Sequence, residues 1–224
     1  SGKGTSPLSS SAFIRINSSS EQAKSSSNIT FLKELVWREF FQQILFHFPH
    51  TVNKSFKPQY DRIEWLNSEE DFIKWCNGNT GYALVDAGMR EMNETGWMHN
   101  RLRMITAMFL SKNLLINWQE GEKYFMENLV DGDIASNNGG WQWSASTGTD
   151  AAPYFRIMNP ETQSLRFDPK GDYIKFWIPE LKDCPISEIH MPSEPEKYGY
   201  FKPLVALKIS TQKAIEAFQD LKNL

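Results

Sequence analysis

The chain has 224 residues, 40% hydrophobic and 23% charged, which is enough for one large globular domain or two small ones. Its net charge of -3 excludes a globally basic nucleic-acid binder and leaves room only for a local basic patch. No apolar run reaches the ~18 residues a membrane span needs, and the polar N-terminus shows no signal peptide. Cys76 and Cys184 lie far apart, the four histidines are scattered, and no metal site is expected. A reducing, cytoplasmic setting and a monomer are the expectation.

Eleven of the first 27 residues are Ser, so residues 1-30 read as linker or tail, or as a solubilised segment of the domain. From Thr30, a plausible N-cap, Phe31, Leu32, Leu35, Val36, Phe40, Ile44 and Leu45 recur at helical spacing to about His47. Residues 49-64, with Pro49 and Pro58, read as loop. Helices are expected over 68-77, 83-95, 98-116 and 119-129, with Gly78, Gly81, Gly96 and Gly121 at their borders. Residues 131-153 are rich in Gly, Ser, Asn and Thr and read as a loop region carrying Trp141 and Trp143. Helix is expected again near 159-163, 171-179 and 209-222. No period-2 alternation persists, so residues 31-224 form an all-α domain in this reading.

Three stretches carry unusual residues. The first helix sets Phe31, Glu34, Trp37, Arg38 and Phe41 on one face, a mixture of charge and aromatic surface that suits a cavity wall. A surface Glu34–Arg38 pair is the plainer alternative. The helix after Trp97 aligns Asn100, Arg103, Met104 and Ala107, with Arg101 pointing elsewhere, and a core face with a polar edge explains that pattern equally well. His99 reads as a structural hydrogen-bonder. The third stretch, Asp131 to Gly140, is dense in acceptors. It fails as a calcium loop because its sixth and twelfth positions are Ser136 and Gln142, so it is either a capped turn or a set of acceptors for a heterocycle or ribose.

Taken together, Glu34 to Phe40, Gly96 to Met104 and Asp131 to Asp150 resemble the photolyase/cryptochrome family in order and spacing. The run Asn-Asn-Gly-Gly-Trp-Gln-Trp-Ser-Ala-Ser-Thr-Gly-Thr-Asp at 137-150 is close to the longest signature of that family. The resemblance extends from about residue 31 to 181. It implies an all-helical domain holding a U-shaped FAD. It also implies an upstream α/β antenna domain that this sequence lacks, so a fragment or engineered minimal form is expected. Phe31, Arg38, Asn100, Arg103, Asp131, Asp133 and Asn137 are the implied FAD neighbours, with Phe31 standing where many relatives have Trp. Thr5, Ser6, Leu8 and Ser9 match the Thr-Ser-x-Leu-Ser phosphate grip, after which the match decays. Leu204 to Lys208 departs from an Asp-His pair common in relatives.

The resemblance further implies light-driven repair of cyclobutane pyrimidine dimers, of the class I type, by electron transfer from reduced FAD to a dimer flipped out of DNA. Glu34, Asn100, Trp37, Met104 and Trp143 are the implied dimer-site residues. Trp37, Arg101, Trp143 and Arg156 are the implied DNA contacts, and Trp141, Trp118 and Trp65 the implied electron-transfer chain. Glu34 and Met104 point away from the (6-4) branch, which usually has Gln and His there. A cryptochrome-like flavin photoreceptor and an engineered helical scaffold without FAD are the alternatives.

Overall fold

A computed structural model describes residues 21–221, and among them there are nine α-helices and no strand. These are α1 (Glu21–His47), α2 (Glu69–Cys76), α3 (Ala83–Thr95), α4 (Asn100–Met108), α5 (Trp118–Asn128), α6 (Ile134–Ala145), α7 (Pro160–Phe167), α8 (Asp172–Trp177) and α9 (Leu207–Asp220). The all-α expectation holds. Side-chain caps start several of these helices. Ser68, Asn117, Asp133 and Asn159 each accept a first-turn N–H with the side chain, satisfying donors that a helix start leaves orphaned. Gly96 ends α3 at φ +69°, a conformation that a residue with a Cβ enters only with strain.

Three expectations need correction. Thr30 does not start the first helix; α1 already runs from Glu21. The stretch 131-153 is not a continuous loop, because 134–145 is α6, at the centre of the fold against α1, α4 and α5. Its Gly, Ser and Asn residues have poor helix propensity, but small side chains let neighbours approach closely. A Cβ at Gly139 would sit 2.0 Å from the Phe41 ring of α1, and one at Gly121 of α5 would sit 2.2 Å from the Trp141 ring. Packing outweighs propensity here. The helix expected over 98–116 also changes form midway: α4 passes into a π-helical turn at Phe109–Asn113.

The core gathers Trp75, Trp118, Trp141, Phe109, Phe125, Met89, Met92 and Met98 around α3 to α6. Most of the aromatic content is therefore packing, as expected from composition. Cys76 and Cys184 are both buried and unpaired. No helix among the described residues is long and apolar enough to cross a membrane.

Candidate functional site

The site forms where α4 faces the segment leading into α6. His99 Nδ1 accepts from Arg101 N at 3.1 Å and so opens α4, which turns Arg103 inward. Arg103 Nη2 donates to both carboxylate oxygens of Asp131 at 2.9 Å, and its Nε donates to the Met98 carbonyl at 2.7 Å. The Arg103 side chain is only 3% exposed and that of Asp131 16%. Burial pulls the Arg103 guanidinium down from its ordinary pKa, while Asp131 and then Glu91 hold it up. At 4 Å and an effective dielectric of 20 such a pair attracts by about 4 kcal/mol before desolvation is charged against it.

Asp133 follows in the same segment. Its Oδ2 accepts from Ser136 N at 2.9 Å and caps α6. One turn further, Asn137 donates through Nδ2 to the Glu122 carbonyl at 2.9 Å. Arg103, Asp131, Gly132, Asp133, Ser136 and Asn137 line a small recess over Leu129. The Ser136 hydroxyl is buried without a hydrogen-bond partner among the described residues. This is a polar recess with an ion pair on one wall, acceptors on another and a helix N-terminus between them.

The structure therefore brings Arg103, Asp131, Asp133 and Asn137 into one recess. Asn100 and the α1 face do not line it, although α1 and α4 both pack on α6. Within the α1 face Glu34 and Phe41 are buried, and Phe31, Trp37 and Arg38 are half-buried. Trp37 packs on Phe40 and Phe41, with ring centroids 5.6 and 5.9 Å away. Asn100 is half-buried, and its Oδ1 has no partner among the described residues. Met104 is 4% exposed, in the phase expected from Asn100 and Arg103.

Trp143 lines a different recess, shared with Phe41, Phe56, Asn138 and Gln142. The amides there are already committed. Gln142 Nε2 donates to Asn138 Oδ1 at 2.9 Å, Asn138 Nδ2 to the Thr51 carbonyl at 3.0 Å, and Phe56 N to Gln142 Oε1 at 2.8 Å. That recess is a locked seam between α6 and the 51–56 segment, so the Arg103–Asp131 recess is the better ligand site. Arg101 is half-buried and Arg156 exposed. Thr5, Ser6, Leu8 and Ser9 lie outside the described residues.

Trp141 is 0% and Trp118 2% exposed, and Trp65 is half-buried. All three belong to or pack against one apolar cluster. Sequence reasoning missed Trp75, which meets Trp141 edge-on at 6.1 Å between centroids and stacks on Phe125 at 6.0 Å. It also missed Glu122. Burial pushes the Glu122 carboxyl up to about 7, against the opposing hydrogen bond from Asn138, while its carbonyl holds Asn137. The spacing Trp118, Gly121, Glu122 on one helical face was the available signal.

Residues 31–220 match the family described as the FAD binding domain of DNA photolyase. The chain is 49% identical over 198 residues to the deoxyribodipyrimidine photo-lyase of Escherichia coli, covering 86% of this chain and 42% of that protein. It is 55% identical over 162 residues to the enzyme of the same name from Vibrio cholerae, covering 72% and 34%. A class III photolyase from Agrobacterium tumefaciens superposes with a TM-score of 0.83 at 44% identity, covering 87% of this chain and 43% of that one. A cryptochrome from Synechocystis gives 0.79 at 36% identity, covering 85% and 42%. The chain thus spans less than half the length of these relatives.

Proposed function

From a chain that belongs to the family of FAD-binding domains of DNA photolyases, we propose a light-driven repair activity on cyclobutane pyrimidine dimers in DNA. The observation that carries the reading is the buried Arg103–Asp131 pair opening onto a polar recess with Asp133, Ser136 and Asn137. These residues fit a flavin. The unpartnered Ser136 hydroxyl and the acceptors of Asp133 and Asn137 suit the donors and acceptors of a heterocycle, and Arg103 supplies fixed positive charge. Phe31 and Arg38 are the proposed further neighbours of the flavin, and Thr5, Ser6, Leu8 and Ser9 the proposed phosphate grip.

When bound and reduced, FAD would supply the photoexcited electron; the protein supplies orientation and electrostatics. Arg103 holds positive charge where an anionic ring is favoured. Asn137 lines the recess, with the Glu122 carbonyl fixing its amide. On the DNA side, Glu34 and Asn100 hydrogen-bond the flipped dimer, and the unpartnered Asn100 Oδ1 is an acceptor waiting for a base N–H. Trp37 and Trp143 wall the dimer, Met104 closes the pocket, and Arg101 and Arg156 hold flanking phosphates. Flipping costs a few kcal/mol, and less at a lesion that stacks poorly. Trp141, Trp118 and Trp65 would form the route by which electrons from an external reductant at the surface reach an oxidised flavin. The protein acts as a cytoplasmic monomer in this reading.

The test is lesion choice. A carboxyl at Glu34 shares a proton with a pyrimidine carbonyl as negative charge develops there, and Met104 offers no proton, so dimers are repaired and (6-4) products are not. Illuminating the reduced protein with each lesion separately and counting restored pyrimidines decides it. Restoration of the (6-4) lesion overturns the assignment. A flavin-loaded protein restoring neither lesion supports the cryptochrome-like reading, and a protein that takes up no FAD supports the bare scaffold.

A further inference from the structure

Besides Asp131, a second buried carboxylate acts on Arg103 without lining the recess. Glu91 sits on α3, which packs against both α4 and α8, and is 8% exposed. Tyr173 of α8 donates its hydroxyl to Glu91 Oε2 at 2.6 Å. The backbone N–H of His99, the residue that caps α4, donates to the same carboxylate. On α3 itself, Thr95 Oγ1 donates to the Glu91 carbonyl at 2.7 Å. Glu91 thus ties α8 and the start of α4 to α3.

A tie of this kind does not need a charge. A neutral amide accepts the same two hydrogen bonds, and a buried carboxylate adds a desolvation cost. Burial pushes the Glu91 carboxyl up from its ordinary 4.5, while Tyr173, Arg103 and His99 hold it down. The effect is mutual: burial lowers the Arg103 guanidinium, and Asp131 and then Glu91 oppose that fall. The other titratable groups facing Glu91 carry no charge at pH 7. Burial, then Arg101 and Arg103, keep His99 below its ordinary 6.5. Burial, then Glu91, raise the Tyr173 phenol far above its ordinary value, so it stays a donor. One guanidinium therefore serves two carboxylates, Asp131 through hydrogen bonds at the recess wall and Glu91 through its field.

We propose that Glu91, held by Tyr173, is a positioning residue for Arg103: it shares the guanidinium with Asp131 and sets how much positive charge the recess presents to a reduced flavin. With both carboxylates ionised, the single cation is outnumbered, and the recess favours an anionic ring less than Arg103 and Asp131 alone would. Neutralising Glu91 leaves a balanced pair. A charge that acts more on one oxidation state of a bound ring than on the other shifts the potential of that ring. The sharing of Arg103 stands without a ligand; the effect on potential rests on the proposed flavin site.

The experiment uses the whole 224-residue chain, first without flavin and then loaded with FAD. Without flavin, urea unfolding is measured for the wild type, Glu91→Gln, Asp131→Asn and the double variant. Asp131→Asn leaves Arg103 one of the two carboxylates and the double variant leaves it neither, so the losses should exceed additivity by roughly fivefold in the unfolding constant. Additive losses overturn the sharing. If the double variant does not fold, Tyr173→Phe takes the place of Glu91→Gln in the cycle, with roughly twofold expected. With FAD bound, the midpoint potential of the flavin is read by dye equilibration at one pH. Gln keeps the size of Glu and still accepts from Tyr173, so Glu91→Gln tests the charge alone. It should favour the reduced flavin about threefold, a rise of about 14 mV for a two-electron couple. Glu91→Asp keeps the charge and should shift the potential less. The exposed Glu94→Gln of the same helix removes an equal charge and should leave the potential unchanged. A merely structural role reverses the order, with Asp perturbing and Gln silent; that result, or an equal shift in Glu94→Gln, overturns the proposal. If the wild type takes up no FAD, the flavin reading fails, while the unfolding cycle still decides whether Glu91 shares Arg103.

Discussion

Replacing Lys112 by Met should stabilise the protein at neutral pH and flatten its stability profile above it. Lys112 sits in the π-helical turn after α4, with a side chain that is 0% exposed. Its Nζ donates to the Arg156 carbonyl at 3.1 Å. Burial, helped by repulsion from Arg156, lowers its pKa from 10.5 to about 7. A base whose folded pKa lies below its unfolded value binds fewer protons folded than unfolded across that interval. Its penalty is therefore full below about 7 and is relieved as pH rises towards 10.5. The interval corresponds to on the order of 5 kcal/mol. Met keeps the apolar stem and loses one hydrogen bond, worth about 1 kcal/mol. Lys112→Met should thus gain a few kcal/mol below about pH 7 and lose that advantage near pH 10. Urea unfolding of both proteins across this range reads the difference directly. A variant less stable than the wild type at acid pH, or an advantage that does not shrink with pH, would refute the reasoning.

Glu122 works in the opposite sense. Its folded pKa of about 7 lies above the ordinary 4.5, so the stability it contributes is full below 4.5 and is lost as pH rises through about 7. Glu122→Gln keeps an acceptor for Asn138 and should remove that fall, gaining up to on the order of 3 kcal/mol near pH 8 in urea unfolding and nothing near pH 4.5. Asp131→Asn strips the buried Arg103 of its carboxylate and should cost about 3 kcal/mol; a loss under about 1 kcal/mol would mean the guanidinium finds another counter-charge. Trp141→Phe should block photoreduction of oxidised FAD, followed by flavin absorbance, while repair by chemically reduced FAD persists. Normal photoreduction in that variant would exclude this tryptophan as the route.

The inward phases of the first helix and of α4 were legible because helical periodicity alone sets them: Phe41, Arg103, Met104 and Ala107 are buried as their spacing implies. The same periodicity misled where the more apolar side faces outward. Leu32 is 58% and Val36 68% exposed, while the buried position between them is Glu34. α6 was not legible as a helix because its Gly, Ser and Asn residues argue against one; what holds it is contact with Phe41 and its neighbours, which propensity does not encode. Arg103 and Asp131 are 28 residues apart, so no local pattern joins them, and only the family resemblance put both beside a flavin. Lys112 gave no signal at all, since lysine is among the residues least expected in a core. The Tyr173–Glu91 contact joins two helices that are not neighbours in the chain and emerges only in three dimensions.

Light dependence tests the central claim most directly. The chain is loaded with FAD, reduced, mixed with DNA carrying cyclobutane dimers and divided into an illuminated and a dark portion, beside a flavin-free control. The account predicts restored pyrimidines only where reduced flavin and light are both present. No restoration in light despite bound reduced flavin, or equal restoration in the dark, would contradict it.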